Sequence, residues 1–125
     1  MLDASFAPAR STLETEPLRE PGAFEALVRE IGQDGAAEVR DVFWSDTSAR
    51  LELLRTLDLG QHRSKIGREA HSLKSAARTF GYLRLAALAL ELETTAEALG
   101  DAEFCDLLDR MDTAYAAARK QEPQD

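Results

Sequence analysis

Apolar residues recur at every third or fourth position along most of the chain, the spacing that places them on one face of an α-helix. The pattern starts at Phe24 and ends near Ala118. It predicts one short helix and four longer ones, over residues 24–31, 36–57, 61–80, 85–99 and 104–118. Segments that contain glycine separate these helices, at 32–35, 58–60, 81 and 100–101.

The polar run at 45–48 is the weakest part of the second predicted helix. Serine, threonine and aspartate side chains compete with the backbone for hydrogen bonds, so this run could mark a kink or a break. We interpret residues 36–57 as a single helix.

Short loops between the four longer helices predict antiparallel neighbours, because a short loop cannot carry the chain to the far end of the preceding helix. The predicted fold is therefore all-α: an antiparallel up-and-down four-helix bundle over residues 22–119, with a short additional N-terminal helix. Residues 1–21 contain three prolines and no sustained period, so we expect a flexible or loosely docked arm. Residues 120–125 are expected to form a frayed tail.

The composition agrees with one helical domain in a reducing compartment. The 125 residues suffice for a single core, and a low aromatic content of 6% favours helices over strands. The chain has no run of 18 apolar residues and no secretory signal pattern, so we expect a cytoplasmic protein without membrane contact. Cys105 is the single cysteine and has no internal disulfide partner.

Charge is distributed unevenly along the chain. The formal net charge of −8 argues against nucleic-acid binding, because phosphate backbones would be repelled. Residues 61–84 nevertheless carry six basic residues and one acidic residue, a net charge of +5. This local positive charge indicates one particular anionic partner, since salt confines such attraction to about 10 Å.

His71 lies near the middle of the third predicted helix, on its polar face. At about 100° per residue, Lys74, Ser75 and Arg78 project within about 60° of it. We therefore expect an exposed imidazole among exposed cations. His62 lies nine residues earlier on the apolar side, so the two histidines cannot share a ligand, and no metal site is expected.

Two more positions of this helix need an explanation. Gly67 lies one turn before His71, where glycine costs roughly 1 kcal/mol relative to alanine. It either gives a docking partner clearance or is tolerated by chance. Glu69 projects about 160° from His71 among apolar positions, so it must lie at the edge of the buried stripe or find a partner.

The residues around His71 resemble the signature of the histidine-containing phosphotransfer (HPt) domain of bacterial phosphorelays, H-x-L-K-G followed six residues later by glycine. His71, Leu73, Lys74 and Gly81 match it in type and spacing, whereas Ser75 replaces the more frequent glycine. The expected apolar ladder continues at Leu85, Leu88 and Leu92. The resemblance is sharp over residues 61–93 and extends as a pattern over 22–119.

The resemblance implies a phosphocarrier. His71 would take a phosphoryl group from a phospho-aspartate on a response-regulator receiver domain and pass it reversibly to another receiver. Gly67 and Arg68 would serve clearance and docking, and the residues supporting the phosphate would be Lys74, Ser75 and Arg78. The sequence has no nucleotide-binding motif, so no ATP-dependent kinase activity is expected.

The resemblance also implies partners and a docking surface. The partners are receiver domains and a hybrid or sensor histidine kinase. No cofactor is expected on this chain, because the receiver provides the divalent metal. Docking is expected on the exposed face of the His71 helix and part of the preceding helix. Trp44 is a candidate apolar contact there, whereas Phe43 is better placed in the core.

Three other interpretations remain. A docking module of the same fold would bind a receiver without carrying phosphate, but intact His71 and Lys74 favour a carrier. The phosphoacceptor domain of a histidine kinase usually has an acidic residue after its histidine and a proline nearby, whereas Ser72 follows here and no proline lies near. An unrelated enzyme with His71 as general base would lack a second catalytic group. Met1 and the compact length favour a free-standing carrier over a piece of a hybrid kinase.

Overall fold

The described part of the protein, residues 16–121 of a computed structural model, is all-helical, which confirms the predicted fold class. It contains five helices and no strand. Their bounds are α1 Ala23–Ile31, α2 Gln33–Thr56, α3 Leu59–Thr79, α4 Leu83–Thr95 and α5 Asp101–Gln121. The remainder of the predicted arm, 1–15, and most of the predicted tail, 122–125, lie outside the described residues.

The break between α1 and α2 is shorter than predicted. Gly32 alone separates the two helices, with a φ of +85° that favours glycine, and α2 already begins at Gln33. The expected turn over 32–35 is therefore wrong, because residues 33–35 already belong to α2.

The polar run in α2 does not interrupt the helix, which is continuous from Gln33 to Thr56. Thr47 is buried, whereas Ser45, Asp46 and Ser48 face solvent. The run thus follows the helix period, and the packing of α2 against the bundle overrides its weak local preference.

α3 begins earlier than predicted and ends where predicted. The Asp58 carboxylate accepts a hydrogen bond from the backbone N–H of Gln61 at 3.1 Å, so α3 starts at Leu59 instead of Gln61. A local kink follows at His62. After Thr79 and Phe80 the chain leaves the helix through Gly81, whose φ is +76°.

The four long helices pack in a closed ring around one core. α2 packs against α3 and α5, α4 also packs against α3 and α5, and α1 lies on α2. The antiparallel order of the helices stays a prediction from the short loops. Large side chains that fill the core are Phe43, Trp44, Leu54, Ile66, Leu73, Leu92, Leu108 and Met111.

Trp44 belongs to the core and not to the surface. Its ring lies in an aromatic cluster, 5.2 Å from Phe43 and 4.8 Å from Tyr82 between centroids. Only 5% of the residue is exposed, and the Tyr115 hydroxyl donates to its carbonyl oxygen at 3.0 Å. The expectation that Trp44 contacts a partner is therefore wrong, because its indole is already covered by the bundle.

The described end of the predicted arm is docked on the bundle. The Glu20 backbone N–H donates to the Gly81 carbonyl at 2.6 Å, and the Arg84 guanidinium donates to the Glu16 carbonyl at 3.0 Å. Leu18 also packs against the core. Residues 16–21 therefore lie against the turn between α3 and α4.

Gly81→Ala is expected to destabilise the protein, because both the backbone and the space around it require glycine. A Cβ atom there would lie 2.6 Å from the Cβ atom of Ala23. The left-handed conformation alone costs an alanine about 1–2 kcal/mol, and the contact adds to this. Urea denaturation is expected to show a loss of unfolding free energy of at least that size.

Gly67→Ala is the matched control. Gly67 is helical, and a Cβ atom there would meet the Cβ atom of Ala96 at 3.7 Å, an ordinary contact. Its unfolding free energy is expected to stay the same or to rise by up to about 1 kcal/mol. Equal losses in the two variants would contradict the role assigned to the Gly81 turn.

Candidate functional site

His71 stands on the solvent side of a firmly anchored helix. The opposite side of α3 is buried through Ile66, Ala70, Leu73 and Ala77, none of which is exposed. The His71 side chain is 59% exposed, as the helical phase predicted. Its Nδ1 atom lies 2.8 Å from Oε2 of Glu93 on α4, so this nitrogen is turned toward the neighbouring helix.

Lys74 is largely covered, which corrects the expectation of an exposed cation. Its side chain is 13% exposed, and its Nζ atom donates to Oε1 of Glu93 at 2.6 Å. The reason is the packing of α4 on this side of α3, which covers the aliphatic stem while the ammonium group reaches a carboxylate.

Glu93 is the site residue that the sequence analysis missed. Each of its carboxylate oxygens has one partner, Lys74 and His71 respectively. The hydrogen bond from Lys74, and then that from His71, holds the pKa of the Glu93 carboxyl below its usual range. The spacing in the sequence could have indicated this contact. His71 lies eleven residues before Tyr82 and Glu93 eleven residues after it, so two helices joined by a turn at Tyr82 bring the two side chains to the same level.

The positive charge of residues 61–84 is mostly engaged within the protein. Arg63 donates to the carbonyl groups of Ala96 and Leu99, at 2.9 and 2.8 Å. Lys74 binds Glu93, and Arg84 binds the Glu16 carbonyl as described. The predicted +5 patch is therefore much reduced as a free surface charge.

Arg68 and Arg78 are the cations of this segment that remain available. Both are exposed, and neither has a hydrogen bond or ion pair with any residue in 16–121. Arg68 lies one turn before His71 on α3, and Arg78 lies two turns after it. Ser75 is exposed between them, on the same helix face.

Gly67 borders a shallow cleft beside His71, between α3 and α4. Its missing side chain would point toward Ala96 of α4. The cleft is lined by Ser64, Gly67, Arg68, His71, Ser72, Glu93 and Glu97. The position therefore fits either clearance for a partner or close packing of the helices.

Glu69 finds partners at the edge of the core. Oε1 of Glu69 accepts a hydrogen bond from Nε of Arg50 on α2 at 2.8 Å, and Lys65 lies 3.9 Å from Oε2. His62 takes no part in the site, since its Nδ1 atom lies 3.1 Å from the Asp58 carbonyl oxygen. No group of three or more His, Cys, Asp or Glu side chains among residues 16–121 is placed to hold a metal ion.

Fold and site together define a helical-bundle protein that presents a single exposed imidazole backed by a carboxylate and a lysine. The family model of the Hpt domain matches residues 38–121, about two thirds of the chain, so the protein belongs to the Hpt domain family. A search of curated proteins found no match, and neither did a search of solved structures.

Membership in this family gives the protein a phosphotransfer role in two-component signalling. Hpt domains interact with receiver domains and histidine kinases, and they are phosphocarriers and not kinases. Of the helices in the described part, none combines the length and apolar composition that a membrane crossing requires.

The lowered pKa of Glu93 predicts an acid limit for the Glu93 bridge, the pair of contacts from Glu93 on α4 to Lys74 and His71 on α3. Because the pKa of a carboxyl held by a cation lies below its unfolded value, the bridge is fully formed above the ordinary pKa of glutamate. Its contribution to stability is lost as the pH falls through the lowered pKa. NMR of the carboxyl carbons during an acid titration is expected to show that Glu93 takes up its proton at a lower pH than an ordinary glutamate.

Lys74→Met is expected to move the pKa of Glu93 upward, because it removes the larger of the two causes. Arg68→Met is the control on the same helix, since Arg68 makes no hydrogen bond or ion pair with Glu93, and the pKa of Glu93 is expected to stay unchanged. An unchanged pKa of Glu93 in Lys74→Met would contradict the bridge.

Proposed function

We propose that the protein carries a phosphoryl group on Nε2 of His71 between aspartates of response-regulator receiver domains. The supporting observation is the exposed imidazole whose Nδ1 atom faces Glu93. Nε2 is then the ring nitrogen left to a visiting protein. The fixed helix and the exposed ring suit transfer between two macromolecules.

The imidazole of His71 and the aspartyl phosphate of the receiver supply every bond that the transfer forms or breaks. The Nε2 lone pair attacks the phosphorus of an aspartyl phosphate, so an N–P bond forms. The P–O bond to the aspartate breaks, and its electron pair leaves as carboxylate. The reverse step passes the phosphoryl group to the next aspartate. The divalent metal that assists the chemistry belongs to the receiver.

Three residues of α3 are proposed to support the phosphoryl group. Lys74 lies one turn after His71 and brings the nearest ammonium group. Arg78 adds an exposed guanidinium further along the same face. Ser75 is small and exposed, so it leaves room for the phosphate and for the approaching backbone.

An apolar groove that shares helix α3 with His71 is proposed as the receiver-docking surface, together with Arg68 and the clearance at Gly67. The groove has a volume of about 390 Å³ and is formed by α1, α2 and α3. Ile31 and Val42 are about half exposed there, which is unusual for large apolar side chains. Its apolar lining residues are Leu27, Ile31, Val39, Val42, Phe43, Ala76 and Phe80, and its polar ones are Asp46, Thr47, Arg50 and Thr79.

The groove is assigned to a receiver because it shares helix α3 with His71. Ala76 and Thr79 line it and lie five and eight residues after His71 on α3. A receiver that contacts α3 at the groove would then lie along the helix that carries the imidazole. Such a relay would place the protein in the cytoplasm, with a hybrid or sensor histidine kinase upstream.

A phosphorylated receiver is expected to label the wild-type protein and not His71→Gln. The label is expected to be lost in acid and retained in base, because an N–P bond is acid-labile. The His71 side chain is exposed, so the variant is expected to keep its fold within about 0.5 kcal/mol. Incubation with a radiolabelled receiver, followed by gel separation, measures the transfer.

His62→Gln is the control, because His62 lies on the same helix but outside the site. It is expected to accept the label like the wild type. Labelling of His71→Gln would overturn the assignment of His71. Receivers that bind the wild type but never label it would instead indicate a docking module without phosphate.

Val42→Asp is expected to weaken receiver binding by about tenfold or more, because it places a charge in the apolar groove. Its stability is expected to change little, since 53% of Val42 is exposed. Leu90→Asp is the control: Leu90 is 36% exposed on α4 and does not line the groove. Calorimetric titration with a receiver that labels the wild type measures both affinities, and equal affinities of the two variants would contradict docking at the groove.

A further inference from the structure

We infer that a cleft between the N-terminal arm, α1 and α2 binds a small oxyanion with two or more negative charges, of the phosphate or polycarboxylate type. The cleft has a volume of about 420 Å³, within the range of about 300–1,000 Å³ that is usual for small-ligand sites. Three arginines line it, together with the single acid Glu25 and three uncharged residues that include Phe24. None of its residues lines the cleft beside His71 or the apolar groove.

The fold brings the three arginines together from separate elements. Arg19 belongs to the arm, Arg29 to α1 and Arg40 to α2, so that ten and eleven residues separate their positions in the sequence. With Glu25 they give the cleft a net charge of +2, in a chain whose formal net charge is −8. Like charges in one cleft repel each other, and an anion that binds among them replaces this repulsion by attraction.

Arg40 is the buried cation of the cleft. Only 8% of the residue is exposed, and its guanidinium carbon lies 4.2 Å from the centroid of the Phe24 ring. Such stacking uses the flat face of the guanidinium, whereas its N–H groups lie in the plane and point outward from the edge. A guanidinium that is held in this way suits an oxyanion, because water screens a buried charge less than an exposed one.

Arg29 and Arg19 are the more accessible cations. Arg29 is exposed, and its side chain makes no hydrogen bond or ion pair with any residue in 16–121. The Glu25 carboxylate, one turn earlier on α1, likewise makes none within this range. Nη1 of Arg19 donates to the Gln121 carbonyl oxygen at 3.5 Å, which is long for a hydrogen bond. An incoming anion can therefore bind Arg29 without breaking an ion pair of the described part.

An anion in the cleft would hold α1 in place. α1 has nine residues, none of them buried, and it is flanked by Gly22 and Gly32, both with positive φ. The stack of Phe24 on Arg40 and the packing of Leu27 on the core are among its contacts with the bundle. Oxygen atoms that bind all three arginines would join the arm, α1 and α2. A diffuse layer of counterions would leave α1 unchanged, so the two cases can be distinguished.

Titration of the full chain with sodium pyrophosphate, in about 0.15 M sodium chloride to screen weak attraction, tests the inference. Changes in the amide NMR shifts are expected to concentrate at residues 19–40. Hydrogen exchange of the α1 amides is expected to slow by about 100-fold at a free pyrophosphate concentration of 100 times Kd, because the ligand must leave before α1 opens. Citrate is the second probe, since it carries carboxylates in place of phosphates, and the tighter of the two probes identifies the class of ligand.

Arg29→Met is expected to weaken pyrophosphate binding by about tenfold or more, because it removes one guanidinium from the cleft. Its fold is expected to be kept, since Arg29 is exposed. Arg29→Lys is expected to lose less affinity, because lysine keeps the charge but not the planar fork of donors. Arg68→Met is the control: it removes the same charge beside His71, outside the cleft, and its affinity for pyrophosphate is expected to equal that of the wild type.

The inference is overturned if neither probe slows the exchange of the α1 amides, or if Arg29→Met binds pyrophosphate as tightly as the wild type. Equal losses of affinity in Arg29→Met and Arg68→Met would also reject the cleft, because net charge alone would then explain the binding. None of these measurements uses a receiver, so their outcome is independent of the phosphocarrier proposal.

Discussion

The close packing of α3 against α4 is the constraint on which the site depends. Both helices bury small side chains, including Ala70 and Ala77 on α3 and Ala89 on α4. Small residues let two helix backbones approach each other closely. At that separation a glutamate of α4 can reach two side chains of α3 at once. The same packing anchors one side of α3 and leaves the imidazole on the other side, in solvent.

The exposure of His71 was predictable because it depends on one helix alone. The apolar period of residues 61–80 fixes which side of α3 is buried, and the histidine lies opposite. The Gly81 turn was predictable for the same reason, since it needs only local backbone chemistry. The continuity of α2 was less certain, because the burial of Thr47 depends on the helices packed around it.

Contacts between helices could not be predicted from the pattern of apolar and polar residues in the sequence. Lys74 and Arg78 are both on the polar side of α3 in projection, but α4 covers the first and not the second. Glu93 carries no local signal of its own, and the register of α4 on α3 decides its partners. The net charge of +5 was read correctly from the sequence, yet the structure pairs most of that charge internally. Counting charges along a chain therefore overstates what a partner meets.

The internal pairing of Lys74 has a consequence for a carrier that must both accept and release. A cation aimed solely at the phosphoryl group would stabilise phosphohistidine and oppose its onward transfer, because binding a ground state tightly raises the barrier to leaving it. In this site the ammonium group is shared with a carboxylate, so its attraction for a dianion is reduced by the neighbouring negative charge. On the proposed function, the glutamate therefore serves both directions of transfer. It keeps Nε2 free for the incoming phosphorus, and it limits how firmly the lysine holds the group once it has arrived.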